Sequence, residues 1–231
     1  MENKNSIING KSLNIVAIGA SAGGLEALRE MLTVAKPPTN LAFVIIQHLD
    51  PTHESMLAQL LNRTTALDVL QCEGGENIQA DHVYIIPPGK GLAIDNGRLK
   101  LTNFTQPRGL RRPIDDFFAS LAYDCQSNAA CVILSGTGAD GSTGLRVIKE
   151  HGGVCVAQDP LTARYDGMPL SAINSGLVDF IKHPRDIISC LEKFFQHRNS
   201  DSKENKISLI SDDVDSFCSL IKKNIVHDFY H

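Results

Sequence analysis

The sequence predicts an α/β domain, a doubly wound, mostly parallel sheet with an inserted antiparallel β-hairpin. Short apolar runs alternate with amphipathic helical stretches along the chain, the order of a βαβ protein. Several of the runs are apolar at every position, as strands covered by helices on both faces must be. One pair of short runs instead flanks Asn96-Gly97, the dipeptide most suited to a two-residue hairpin turn.

The first strand is NIVAIG (14–19), which passes through a glycine-rich turn into the helix GLEALREML. LAFVIIQHL (41–49) is the second, followed by the helical ESMLAQLLN. Between residues 82 and 102 the pattern changes to HVYIIPP, GLAID and RLKLT, short strands of which the last two form the hairpin. A helix over 114–123 (IDDFFASLAY) returns the chain to the main sheet. AACVILSG (129–136) then precedes TGLRVIKEHG, GVCVAQ (153–158) precedes PLSAINSG, and LVDFI (177–181) precedes DIISCLEKFFQ. After Arg198 the composition turns polar and charged, so a catalytic-size domain is expected over 1–198 and a linker over 199–213. Residues 214–231 set Phe217, Leu220, Ile221 and Ile225 on one helical stripe and read as a fragment of a following module.

With 231 residues, 42% of them hydrophobic, the chain can bury a full core. A formal charge of −4 with no long basic run argues against a nucleic-acid partner. No apolar run approaches the roughly 20 residues that a membrane helix needs, and the polar N-terminus lacks a signal-peptide core, so a cytoplasmic protein without membrane insertion is expected. Six cysteines show no CxxC spacing and several lie in apolar runs, which reads as reduced core thiols. No cofactor is implied. His48, Asp50 and His53 have the residue types of a metal site, but Asp50-Pro51 reads better as a helix start, and no metal is expected.

Polar residues at the carboxyl ends of the strands bear most on function, because ligands of open α/β sheets bind there. Ser21 lies in the turn GASAGG after the first strand. That turn fits the GxSxG nucleophile elbow better than a GxGxxG phosphate loop, whose second glycine is here Ser21. Taken alone, Ser21 is better explained as a helix N-cap, and it is the full set of motifs that favours a nucleophile. His48 closes the second strand, and Asp140 follows CVILSG in a second glycine-rich turn, where it could also cap a helix starting near Gly141. A serine, a histidine and an aspartate at one sheet edge can supply a nucleophile, its base and the group that orients the base. Their chain order differs from the Ser, Asp/Glu, His order of α/β-hydrolases.

IGASAGG, FVIIQHLDP, ILSGTGADGSTGL and GMPLSAI, in this order and spacing, closely resemble the catalytic domain of chemotaxis protein-glutamate methylesterases of the CheB type over about residues 13–190. The resemblance implies hydrolysis of glutamyl methyl esters on cytoplasmic helices of chemoreceptors, with glutamine deamidation in some members. Carried onto matching positions, it makes Ser21 the nucleophile, His48 the general base and Asp140 the orienting carboxylate. LDPTHES and VYIIPP are most similar to such domains fused ahead of a receptor methyltransferase, whose first helix DSFCSLIKKNIVHDFYH faintly resembles. Two departures stand out. Members usually carry a receiver domain ahead of this module, whereas the first strand begins here within fifteen residues of the N-terminus, so control by an attached receiver is expected to be missing. They also often have threonine after the nucleophile, where this chain has Ala22.

Main-chain donors of the Ser21 and Thr137 turns, with Ala22 and Thr137 as the named residues, are the candidates for an oxyanion hole, since the flanking glycines let them converge. Arg108, Arg111 and Arg112 form the one local basic cluster; it fits an acidic receptor helix or a product carboxylate, and equally a solvated loop. Met168 precedes a helix near the same edge and is a candidate for the ester pocket or for plain packing. The rival readings are a general carboxylesterase, a catalytically silent module controlling an adjacent methyltransferase, and a nucleotide-binding domain, the last disfavoured by Ser21 in place of the second glycine.

Overall fold

A computed structural model describes residues 7–8, 11–47 and 56–199. In chain order its elements are β1 (Ile7–Ile8), β2 (Lys11–Ser12), β3 (Asn14–Ala20), α1 (Gly24–Thr33), β4 (Leu41–Gln47), α2 (Leu57–Asn62), β5 (Asp68–Gln71) and β6 (His82–Ile85). There follow β7 (Gly91–Asp95), β8 (Arg98–Thr102), α3 (Pro113–Cys125), β9 (Ala129–Ile133), α4 (Ser142–Glu150), β10 (Val154–Gln158), α5 (Gly167–Asn174), β11 (Phe180–Lys182) and α6 (Pro184–Asn199). Seven of the strands form one sheet in the order β11-β10-β9-β3-β4-β6-β5, and every pairing in it is parallel.

Burial on both faces explains the apolar runs. All seven residues of β3 are buried, with Ile15 and Ala17 in one core and Val16, Ile18 and Ala20 in the other. The first core is closed by α3, α4, α5 and the hairpin, through residues such as Phe117, Leu145, Ala172 and Leu99. The second is closed by α1, α2 and α6, through Leu28, Met31, Leu61 and Leu191. The sheet is therefore doubly wound, as expected from the continuous runs. The hairpin is β7 paired antiparallel with β8, turning at Asn96 and Gly97, whose φ values of 53° and 72° are those of a type I′ turn. Its tip is tied to α3, because the Asp124 carboxylate accepts the N–H groups of Asn96 (2.5 Å) and Gly97 (3.0 Å).

Several expectations need correction. HVYI, expected as a short strand without a stated partner, is β6 and pairs parallel with β4 and β5 inside the main sheet, while β7 and β8 stand apart as the hairpin. The edge strand β5 and the small β1–β2 ladder are additional. The run 129–136 is strand only to Ile133, beyond which Ser135 and Gly136 bond across to other turns. The run 177–181 becomes strand only at Phe180, after Asp179 has accepted the Cys155 N–H. The first helix of the second unit is described from Leu57 onward, and the expected linker and terminal helix lie outside the described residues.

The winding sets the position of the site. From β3 the chain builds outward through β4, β6 and β5, and from β9 it builds the other way through β10 and β11. The direction thus reverses between the neighbouring strands β3 and β9, and the crevice beyond their carboxyl ends is where a doubly wound sheet binds ligands.

Candidate active site

Ser21 is the first residue after β3 and sits half-buried at that crevice. Its N–H donates to the carbonyl of Ser135 (3.0 Å), and its own carbonyl accepts the Gly24 N–H (2.9 Å), so the turn is held on both sides of the hydroxyl-bearing carbon. Ser21 does not cap α1. The N-cap is Gly23, with a left-handed backbone and no side-chain cap bond, which removes the simplest structural explanation for a serine here.

Ser135, in the turn after β9, is the fully buried hub of this region. Its hydroxyl donates to the Ala22 carbonyl (2.9 Å) and accepts the Tyr165 N–H (3.0 Å), while its N–H donates to the Gln158 side-chain oxygen (2.8 Å). Gly136 N–H in turn donates to the Tyr165 carbonyl (3.0 Å). The nucleophile-type turn, the turn after β9 and the segment before α5 are thereby locked together. Sequence reasoning passed over Ser135, although it lies inside the ILSGTG motif.

Asp140 is buried, with 4% of its surface exposed. Its carboxylate accepts the N–H groups of Ile114 (3.2 Å) and Asp115 (3.1 Å), which are the first-turn donors of α3. It therefore caps α3, where the N-cap residue Arg112 supplies no side-chain bond. A carboxylate is stabilised there by the orphan N–H groups and by the positive end of the helix dipole. The first turn of α4 is served by Asp115, whose carboxyl accepts the Gly144 N–H (2.7 Å). Burial, and then the nearby charge of Asp140, push the Asp115 carboxyl up to about 6, against the lowering effect of the Gly144 N–H. The neighbouring Asp116 carboxyl is raised by burial and by the same charge.

His48 lies outside the described residues; β4 is described to Gln47, which is the register partner of Ala20. The Gln47 side-chain oxygen is buried with no hydrogen-bond partner among the described residues. Asp50 and His53 are likewise outside, and among the described residues no group of three or more His, Cys, Asp or Glu is set to hold a metal ion.

Of the oxyanion candidates, the Ser21 N–H is already committed to Ser135, which leaves Ala22 and Thr137, both exposed at the mouth of the crevice. Gly136 passes between Met168 and Ser21: a Cβ on it would lie 2.2 Å from Met168 Sδ and 2.9 Å from Ser21 Cβ. Met168 is itself buried, with its N–H donating to the Gly136 carbonyl (2.9 Å), so it packs behind the turn. Arg111 is half-buried, its guanidinium 4.6 Å from the Phe104 ring centroid and its Nε donating to the Gln106 carbonyl (2.8 Å). Arg112 is exposed at the start of α3, within two residues of the Ile114 N–H that Asp140 accepts, and Arg108 opens a 3-10 turn before it. The structure thus places Ser21 and Ala22 in the turn after β3, Thr137 and Asp140 in the turn after β9, Met168 packed on Gly136 behind them, and Arg111 held by its own loop next to Arg112.

Among the described residues no helix is long and apolar enough to cross a membrane. Comparison with known proteins agrees with this architecture. The solved catalytic domain of a CheB methylesterase from Thermotoga maritima superimposes with a TM-score of 0.71 at 32% identity, covering 80% of this chain and all of that one. A protein-glutamate methylesterase/protein-glutamine glutaminase from Clostridium acetobutylicum is 33% identical over 175 residues, 75% of this chain and 51% of its own length. A putative enzyme of the same name from Leptospira interrogans is 32% identical over 167 residues, 72% of this chain and 86% of its own. An uncharacterized 104.1 kDa protein from Rhodobacter capsulatus is 43% identical over 123 residues, 53% of this chain but 13% of that protein. The chain spans about half the length of several curated relatives it matches. The sequence profile described as CheB methylesterase matches residues 16–191, a span that takes in both turns of the crevice, and the chain belongs to that family.

Proposed function

We propose that this domain is a protein-glutamate methylesterase, hydrolysing glutamyl methyl esters of chemoreceptor-like proteins to glutamate and methanol with Ser21 as nucleophile, His48 as general base and Asp140 as the carboxylate that orients it. One observation carries the reading: Ser21 and Asp140 leave adjacent strands at the switch point of the sheet. Their turns are joined through Ser135, and His48 is the next residue after the Ala20 partner Gln47. The family membership supports the same chemistry.

In acylation, Ser21 Oγ adds to the ester carbonyl carbon while His48 takes its proton. Collapse of the tetrahedral intermediate breaks the bond to the methoxy oxygen, and His48 returns the proton so that methanol leaves. Water, deprotonated by His48, then adds to the acyl-enzyme; its collapse releases glutamate and returns the proton to Ser21. Negative charge on the intermediate is met by the N–H groups of Ala22 and Thr137. Deamidation of glutamine follows the same steps with ammonia leaving. The substrate is a helix of a methylated receptor met in the cytoplasm, with Arg111 and Arg112 on the substrate side and Met168 backing the turn that forms the ester pocket. Residues 199–213 act as a linker and 214–231 begin a covalently following methyltransferase. The Rhodobacter relative supports a multi-module arrangement, because the matched region is a small part of a much longer chain.

Methanol release from a methyl-esterified receptor tests the reading. Ser21→Ala is expected to slow it by about 10⁶-fold, the loss seen when a triad serine is removed. Undiminished release by that variant overturns the proposal. Hydrolysis of small esters but not of the receptor would make the protein a general carboxylesterase.

A further inference from the structure

Helices α3 and α4 meet at their N-termini and exchange caps: Asp140, ahead of α4, accepts the first-turn N–H groups of α3, and Asp115, on α3, accepts the Gly144 N–H of α4. The approach is close because Gly144 has no side chain; a Cβ there would lie 2.7 Å from Phe118 Cβ and 3.2 Å from both the Cα and the carbonyl oxygen of Asp115. The exchange sets two carboxyl groups side by side, because Asp140 accepts the backbone N–H of the residue that carries the second one. We propose that Asp115 is a positioning residue for the reaction, fixing the Asp140 carboxylate through the exchanged caps and setting, by its own charge, the pH below which the site fails. The inference rests on Asp140 being the orienting carboxylate.

The surroundings single out this pair. Strands β3, β4 and β9, which pack on α3, contain no charged residue. β7 contributes Asp95, which is paired with Lys100. α4 contributes Arg146, Glu150 and Lys149, the last paired with Asp179. α3 itself adds Asp116 and Asp124, and Asp124 is occupied with the hairpin tip. Burial is the larger cause that raises the Asp115 carboxyl, and of these charges it is that of Asp140 that adds to it. Withdrawing the Asp115 charge removes a negative neighbour from the site, which disfavours proton uptake by the groups left there.

Methanol release measured from pH 5 to 9 on the full 231-residue chain separates the possibilities. Asp115→Asn keeps an oxygen to accept the Gly144 N–H but removes the charge; the acid limb of kcat/KM is expected to move to lower pH by about 0.5 to 1 unit. Asp115→Ala also removes the cap, and its plateau kcat is expected to fall about 10-fold at unchanged KM, with the Asn variant between it and the parent. An Asn profile that superimposes on the parent's overturns the inference, as does an Ala plateau equal to the Asn plateau. Should the Ala variant not fold, the Asn profile decides alone. Asp140→Asn keeps the two readings apart: full activity in that variant overturns the triad and this inference together, whereas its loss beside a superimposed Asp115→Asn profile overturns only the role of Asp115.

Discussion

The Ser135 hydroxyl donates to the carbonyl of Ala22 at 2.9 Å, across 113 positions of sequence, and so ties the turn that carries Ser21 to the turn that leads to Asp140. Because the same hydroxyl accepts the Tyr165 N–H, three segments from separate βα units share one buried oxygen. A nucleophile gains little from lying at a strand end unless its turn is held within a fraction of an ångström of the other reacting groups. Ser135 supplies that hold from outside the set of groups that touch substrate.

Ser135→Ala is accordingly expected to do more harm to turnover than to the fold. Two hydrogen bonds are lost, which costs about 1 to 3 kcal/mol of stability. The Ser21 turn is then tied to the Ser135 turn by the Ser21 N–H to Ser135 carbonyl bond alone, and kcat is expected to fall about 10-fold at nearly constant KM, a barrier change of about 1.4 kcal/mol. Urea denaturation and methanol-release kinetics on the same preparation check both parts.

Gly136 and Gly138 offer a paired contrast within one turn. A methyl group at Gly136 would meet Met168 Sδ at 2.2 Å and Ser21 Cβ at 2.9 Å. The methionine can swing away but the serine Cβ cannot, so Gly136→Ala pushes the nucleophile itself and is expected to reduce kcat by about 100-fold or more. Gly138 has nothing within 4 Å of its would-be Cβ, but its φ of +87° is unfavourable for alanine. Gly138→Ala is therefore expected to lose about 1 kcal/mol of stability with activity nearly retained. Equal activity in the two variants would contradict the packing of Ser21 on Gly136.

The fold was readable where local pattern and tertiary environment agree. β3, β4, β9 and β10 are apolar throughout because both their faces are covered, and Asn96-Gly97 specifies its turn from two residues alone. β5 escaped notice because, at the sheet edge, Asp68 and Gln71 are exposed and Val69 and Leu70 only half-buried, so no apolar run marks it. β6 was readable only as a short strand, because four residues of HVYI do not reveal whether their partner is the next strand or β4, some forty residues earlier. In the site, Ser21 and Asp140 were legible as polar residues after apolar strands. Ser135 and Asp115 were not, since what they do depends on partners far along the chain. An aspartate in the first turn of a helix ordinarily needs no explanation beyond the helix dipole.

The cysteines should be distinguishable by reactivity. Cys72, Cys125, Cys131 and Cys155 are buried free thiols, and Cys190 is half-buried. Burial pushes the Cys72 thiol up to about 12 and raises those of Cys125 and Cys131 as well, so little thiolate is present to react. Among these five, iodoacetamide at pH 8 is expected to label Cys190 first and the other four only after unfolding. Peptide mapping by mass spectrometry reads the order; rapid native labelling of Cys131 or Cys155, whose sulfurs face each other at 3.2 Å across paired strands, would contradict the packing of the sheet.

The elevated Asp115 carboxyl also makes a prediction for stability, whose sign follows from proton linkage. Its ordinary value is 3.8 and its value in the folded protein about 6, so between these pH values the folded state binds more protons than the unfolded one. Stability from this group is therefore fully present below about pH 4 and is lost as pH rises through about 6. Asp115→Asn cannot titrate, and its stability curve lacks that decline. The stability of the parent relative to the Asn variant is thus expected to be most favourable near pH 4 and to fall by on the order of 1 kcal/mol by pH 7, a figure reduced for the partial exposure of the group. Urea denaturation of both proteins at pH 4, 5, 6 and 7 measures the difference directly. A gap that widens in the parent's favour toward pH 7 would mean that Asp115 is stabilised as a carboxylate by the α4 N-terminus more than it is disfavoured by burial and by Asp140.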